Sequence, residues 1–234
     1  MPLAPHPAPI PSSALLISVH GIVQGVGFRP FVYRLAHQLG LAGTVINNGE
    51  GVSIHISGPP SLLDQFVGAL REQVPPAARI SRLEAQPAEV LPLDASFQIL
   101  PSQRSDRPST QIAPDMALCD DCLAEILDPQ NRRFRYPFTN CTNCGPRFSI
   151  VERIPYDRPN TSMRVFPMCE TCSREYHDPL DRRFHAQPNA CPVCGPRLSW
   201  HDGEGRLIDG DGLTMAARAL GAGAVAAIKG LGGF

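Results

Sequence analysis

Eight cysteines stand at positions 119, 122, 141, 144, 169, 172, 191 and 194, in two sets that each read C-x2-C-x18-C-x2-C. Two residues between paired cysteines let a tight turn aim both sulfurs at one point. The long spacer then brings a second such turn round to complete a tetrahedron. The pattern predicts two zinc sites that together use Cys119, Cys122, Cys141, Cys144, Cys169, Cys172, Cys191 and Cys194. Four sulfurs fill the coordination sphere and leave no place for water, so both ions are expected to be structural. Spacing leaves two pairings open: one site per set in chain order, or a nested arrangement in which the first pair joins the last and the second joins the third. His177 and His185 lie nearby, and with four thiolates available per ion they are expected to be hydrogen-bonded or solvent-facing rather than ligands.

The cysteines sit in a duplicated segment with a period of 50 residues, CDDCLAEILDPQNRRFRYPFTNCTNCGPR followed by CETCSREYHDPLDRRFHAQPNACPVCGPR. The shared D-P-x-x-R-R-F and C-G-P-R indicate duplication of one small module, in which metal binding substitutes for a core the module lacks. Arg132, Arg133, Arg135, Arg182 and Arg183 interleave with Phe134, Tyr136, Phe138 and Phe184, a texture also found where cations and rings grip nucleic acid. Charge argues otherwise. Residues 119–200 hold eleven arginines against ten acidic residues, and eight thiolates around two Zn²⁺ add about −4. Nucleic acid is therefore not the expected partner, and the arginines are expected to tie down the spacer loops or face a neighbouring domain.

Apolar residues make up 43% of the chain and the net charge is −1, which suits a globular protein. No run of eighteen apolar residues occurs, so no membrane span is expected. The opening MPLAPHPAPIPSS has neither a basic start nor an apolar stretch, so residues 1–12 read as a disordered tail rather than a signal peptide. The cytoplasm is therefore the expected location, where thiols stay reduced and disulfides do not account for the cysteines.

Residues 13–100 alternate. ALLISVHG reads as a strand, and RPFVYRLAHQLG as a helix with Pro30 in its first turn, Phe31, Leu35 and Leu39 on its apolar face and Gly40 as its stop. LAGTVINN and GVSIHISG flank the turn Asn48–Gly51 as a hairpin. SLLDQFVGALRE reads as a second helix, with Ser61 and Asp64 at capping-box spacing, and RISRLEAQ and SFQIL as strands. The fold class is α+β: a ferredoxin-like βαββαβ sandwich, two helices on one face of an antiparallel sheet. PSQRSDRPSTQIAPD, polar and broken by proline, reads as a linker over 101–115, and the double zinc module occupies 116–200. After Trp200 come the turn-rich HDGEGRLIDGDG, a helix LTMAARALGAG and an apolar strand AVAAIK that runs into GLGGF. Residues 201–234 thus read as the truncated start of a further α/β domain, and the chain as a fragment.

In 19-VHGIVQGVGFRPF-31, Gly21, Gly25 and Gly27 fall between strand and helix, with Arg29 where the helix begins. Successive amide donors in a glycine-rich bend, with a guanidinium beside them, hold a small oxyanion. Followed by GTVINN, this stretch resembles the acylphosphatase signature, and the βαββαβ order agrees with that family's fold. The resemblance implies that Gln24, Gly25, Val26, Gly27 and Phe28 form a phosphate-binding loop, that Arg29 grips two phosphoryl oxygens and that Asn47 orients the attacking water. His20 and His55, both in strands, are expected to be packing or edge residues.

An acylphosphatase-like domain, twin four-cysteine modules and a strand ending IKGLGGF are, in that order, similar to the hydrogenase maturation carbamoyltransferases, the HypF family. That resemblance implies carbamoyl phosphate as substrate, its hydrolysis to carbamate and phosphate, and adenylation of carbamate with ATP in a YrdC-like domain. Residues 201–234 would begin that domain and bring Lys229 close to nucleotide phosphates. Transfer would follow to the C-terminal cysteine of a partner maturation protein, toward the cyanide ligands of a nickel–iron centre. Only the first step is expected of this chain. Two other readings stay open: a stand-alone acylphosphatase with a zinc appendage, and a non-enzymatic zinc-ribbon adaptor.

Overall fold

The computed structural model describes residues 13–91, 96–105 and 109–230. The anticipated tail over 1–12 and the last four residues of the GLGGF end lie outside them. Strands β1 (Ser13–Ile22), β2 (Ala42–Asn47), β3 (Gly51–Gly58), β4 (Arg79–Pro87) and β5 (Phe97–Ile99) form one sheet in the order β4-β1-β3-β2-β5. Helices α1 (Phe28–Gln38) and α2 (Pro60–Glu72) pack on one face of it. The first four strands are the expected antiparallel set. The fifth is parallel to β2, so the sheet is mixed. β5 lies at the opposite edge from β4 and runs the same way as β2; no hairpin joins β2 and β5, so no tight turn forces them antiparallel.

Alternation along the strands directs Ile17, Val19, Val45, Val52, Ile54 and Ile56 into the core. Helix α1 meets them with Phe28, Val32, Leu35 and Ala36, and α2 with Leu63, Phe66, Ala69 and Leu70. The stripe on α1 is thus not the anticipated Phe31, Leu35 and Leu39. The helix starts at Phe28 behind Gly27, and Phe31 and Leu39 flank the buried face, partly covered. The capping box anticipated at Ser61 and Asp64 does not form either. Pro60 opens α2 and Ser61 lies inside it, with no side chain capping the end.

Gly21 sits where the register between β1 and β4 shifts. Its φ is 119°, and a Cβ placed there would lie 2.2 Å from Arg79 O. Gly21→Ala is therefore expected to destabilise the chain by roughly 2 kcal/mol or more, read as a lower urea midpoint at unchanged slope.

Helices α3 (Asp120–Leu127) and α4 (Glu170–His177) each begin directly after the first cysteine of a set, with Cys119 and Cys169 as their N-caps. The stretch read as a linker packs back on the first unit. The amides of Gln103, Ser109 and Thr110 donate to Asn47 O (2.9 Å) and Gly49 O (2.7 and 2.9 Å), Ile112 bridges to Gln24, and Ala113 is buried in the first core. Farther on, β6 (Trp200–His201) and β7 (Leu207–Ile208) pair as a short hairpin before α5 (Gly212–Gly221), which Asp211 caps by accepting from the Thr214 amide at 2.8 Å. AVAAIK is not a strand. Residues 224–229 are irregular and almost wholly exposed, Lys229 included, with no sheet neighbour among the described residues. Among those residues no helix is long and apolar enough to cross a membrane.

Candidate active site and zinc centres

The sulfurs converge within each repeat. Cys119, Cys122, Cys141 and Cys144 form one group and Cys169, Cys172, Cys191 and Cys194 the other, all four sulfurs of each lying within 4.8 Å of one another. Separations are 3.7 Å for Cys119–Cys141, 3.8 Å for Cys141–Cys144, 3.8 Å for Cys169–Cys191 and 3.6 Å for Cys172–Cys194. Four ligands at the usual zinc–sulfur length leave tetrahedron edges of about 3.8 Å. The two sets therefore fit two zinc ions, paired in chain order rather than nested. His177 and His185 belong to neither set; His177 Nδ1 lies 2.8 Å from Ser173 O.

A four-thiolate zinc site carries about two negative charges, and the compensating cations come from the opposite repeat. Arg182 Nη1 lies 3.2 Å from Cys122 Sγ, and Arg132 Nη2 lies 3.5 Å from both Cys169 Sγ and Cys172 Sγ. The next residue in each repeat continues the exchange. Arg133, only 2% exposed, donates through Nε to Ala190 O at 2.9 Å and through Nη2 to Glu175 at 2.5 Å. Arg183 donates through Nε to Asn140 O at 3.0 Å and pairs with Glu125. Burial by itself would raise the Glu175 carboxyl, but the hydrogen bond and charge of Arg133 outweigh it and hold it down at about 2.

On the first unit, Gly25 and Gly27 both have φ of 74°, the left-handed region that glycine enters without strain. Among the described residues no hydrogen bond leaves the amides of Val26 and Gly27, although Val26 is buried. Unpaired donors in successive residues beside a guanidinium make a nest for an anion. Arg29 Nη2 donates to Asp157 Oδ1 at 2.6 Å and Nη1 to Ser102 Oγ at 3.2 Å. Asn47 is fully buried at the end of β2; with its amide oxygen turned toward the guanidinium, it accepts from Arg29 Nε and Nη2, each at 3.2 Å. Gln24 braces this arrangement with its side chain. Its Nε2 donates to Asn48 O and Gly51 O, both at 2.8 Å, fixing the turn that follows Asn47, and its Oε1 accepts from the Tyr156 amide at 2.9 Å.

The cleft has a second wall that the sequence did not disclose. Gly25, Gly27, Phe28, Arg29 and Asn47 face Thr142, Arg147, Tyr156, His185 and Gln187. Arg147 is 1% exposed and joins the anion loop to the first zinc knuckle, donating to Gly25 O and to Cys141 O at 2.9 Å and Thr142 O at 3.0 Å. A Cβ on Gly25 would lie 3.1 Å from the Arg147 side chain and the Tyr156 ring, so the glycines also let the two units approach. Burial, and then the charge of Arg29, lower the His185 imidazole to about 4, leaving it neutral at pH 7. The only sequence signal for Arg147 was the repeated C-G-P-R, yet its counterpart Arg197 is exposed. Lys229 does not line the cleft.

Residues 15–99 match the family model for acylphosphatase, and residues 118–151 and 168–201 match the HypF finger. The chain is 54% identical over 221 residues to carbamoyltransferase HypF2 of Cupriavidus necator, an alignment that covers 93% of this chain and 27% of that protein. It is 36% identical over 88 residues to an acylphosphatase of Latilactobacillus sakei, covering 37% of this chain and 96% of that one. A crystal structure of full-length HypF in the phosphate- and nucleotide-bound form matches with a TM-score of 0.88 at 48% identity, over 96% of this chain and 29% of the other. The chain thus spans less than a third of the length of either of these HypF proteins.

Proposed function

Because this chain belongs to the HypF carbamoyltransferase family, with an acylphosphatase domain ahead of the twin HypF finger, we propose that residues 13–100 hydrolyse carbamoyl phosphate. Water adds its oxygen to phosphorus, and the bond from phosphorus to the acyl oxygen breaks. Carbamate leaves with that electron pair, and inorganic phosphate remains with the water oxygen. The amides of Gln24, Gly25, Val26, Gly27 and Phe28 receive phosphoryl oxygens, Arg29 matches two of them with its planar fork, and Asn47 holds the water in line. An acyl phosphate has a good leaving group, so orientation and charge neutralisation suffice without a strong general base. The strongest support is the left-handed loop from Gly25 to Gly27, with free amides at Val26 and Gly27, lining the same cleft as Arg29 and Asn47.

In the longer protein, carbamate would be adenylated with ATP in a YrdC-like domain that residues 201–234 begin, with Lys229 near the nucleotide; the nucleotide in the related structure is in keeping with this. The carbamoyl group would then load the C-terminal cysteine of a partner maturation protein in the cytoplasm, toward the cyanide ligands of nickel–iron hydrogenase. Zinc holds the double finger that braces the cleft and takes no part in the chemistry. Asn47→Ala is expected to slow phosphate release from carbamoyl phosphate by about 10²- to 10³-fold while titration still detects bound inorganic phosphate. A wild-type chain that releases no phosphate from carbamoyl phosphate, or an Asn47 variant as fast as wild type, refutes the assignment.

A further inference from the structure

We propose that Asp157, carried by the double finger, selects the acyl group: it favours an acyl phosphate whose substituent donates N–H hydrogen bonds, as a carbamoyl group does, over one ending in a methyl, as acetyl phosphate does. This rests on reading the cleft as an acyl-phosphate site.

A carboxylate is an unexpected neighbour for the guanidinium of a cleft built for a dianion: Arg29 lines the cleft, and Asp157 stands against it from behind the lining residues Tyr156 and His185. Asp157 Oδ1 lies 2.6 Å from Arg29 Nη2, with the two side chains 22% and 9% exposed. A phosphoryl group seated on that guanidinium comes within about 5 Å of the carboxylate, and the repulsion is worth about a hundredfold in affinity per unit charge at a partly desolvated site. The carboxylate is poorly placed to withdraw. On one side of it the Tyr156 amide donates to Gln24 Oε1 at 2.9 Å. On the other, Arg158 donates from its amide to Gln187 Oε1 at 2.7 Å and from Nη1 to Gln187 O at 2.6 Å and Asn189 O at 2.9 Å.

A bound acyl phosphate can offset the repulsion only by giving this carboxylate a proton to accept, because an ionised carboxylate has lone pairs and no donor. The substituent on the acyl carbon is three bonds from phosphorus, so a group beside the guanidinium is within its reach. Carbamoyl carries an NH₂ there and acetyl a methyl. Gln187 is already committed, its Oε1 accepting from the Arg158 amide and the Tyr176 hydroxyl and its Nε2 donating to His185 O at 2.7 Å. Of the acceptors near Arg29, the neutral ring of His185 and the hydroxyls of Thr142 and Tyr156 line the cleft, and Asp157 is the one that carries a charge and touches the guanidinium itself. A site that holds a polar acceptor for a substrate N–H discriminates strongly against an analogue lacking it.

The test compares kcat/KM for carbamoyl phosphate and acetyl phosphate, followed by phosphate release from the full chain, in wild type, Asp157→Ala, Asp157→Asn and Arg29→Ala, with zinc content reporting that each variant is folded. Wild type is expected to prefer carbamoyl phosphate. Asp157→Ala should shrink that preference at least about tenfold, acetyl phosphate gaining while carbamoyl phosphate loses. Asp157→Asn keeps an acceptor without the charge and should retain part of the preference. Equal rates for the two substrates in wild type overturn the inference. So does a parallel fall for both substrates in the two Asp157 variants, which would mark a carboxylate that only braces Arg29. If Arg29→Ala is inactive while the ratio ignores Asp157, the inference alone fails. If Arg29→Ala is as active as wild type, the reading of the cleft fails with it.

Discussion

Replacing Cys172 by serine is expected to take the zinc content from two ions per chain to near none, not to one. Loss of the second site loosens α4, which Cys169 caps and which carries Glu175. Arg133 of the first repeat, 2% exposed, then loses the carboxylate that neutralises it, and stripping one partner from a buried ion pair costs about 3–5 kcal/mol. Arg182, whose guanidinium lies against Cys122 Sγ at 3.2 Å, sits on the spacer between Cys172 and Cys191 and goes with it. The first site thus loses its own loop anchor and its counter-charge together. Structural zinc in a small module is worth about 10–16 kcal/mol of folding free energy, so the loss should also be visible as lost helical signal in far-ultraviolet circular dichroism. A chelator titration of the wild type should release both ions in one transition. A variant that keeps one zinc per chain, with an unperturbed first repeat, would show that the exchanged arginines couple nothing.

Arg29→Ala is expected to lower kcat/KM for carbamoyl phosphate by about 10³-fold or more, in line with removal of a guanidinium that neutralises a transferring phosphoryl group. Arg29→Lys should recover little. Lysine is a point charge and lacks the planar fork that can face two oxygens at once; it also has fewer donors for the three neighbours Arg29 now engages, Ser102, Asp157 and Asn47. Phosphate release gives the rate, and a urea midpoint distinguishes lost chemistry from lost folding. A lysine variant near wild-type activity would mean that charge alone is needed and that the fork geometry is incidental.

The alternation of Ile17, Val19, Ile54 and Ile56 and the turn at Asn48–Gly51 made the sheet legible, because strand period and turn chemistry are local. The parallel edge strand was not, since no tight turn joins β5 to its neighbour β2 and sets its direction. Residues 101–115 read as a linker because they are polar, yet the contacts that hold them are made largely by backbone amides, which composition does not report. At the site, Gly25, Gly27, Arg29 and Asn47 stood out as a motif, and the structure brings them to one cleft. Arg147 and His185, which line it, and Asp157, which meets Arg29, did not stand out, for they arrive only through packing of one unit on the other. His185 occupies the repeat position of the exposed Arg135, and both adopt positive φ, 54° and 57°, so the turn is inherited while the use of its side chain is not.

Arg133 meets Glu175 as Arg183 meets Glu125, and Ala190 O receives one guanidinium as Asn140 O receives the other. Reciprocity of this kind is what a two-fold axis imposes on separate subunits. The tandem thus has the contact pattern of a homodimer joined by a tether, its halves meeting at an effective concentration set by the link. A tether also lets the halves differ: Arg147 lies inside and grips Gly25, while the matching Arg197 is in solvent.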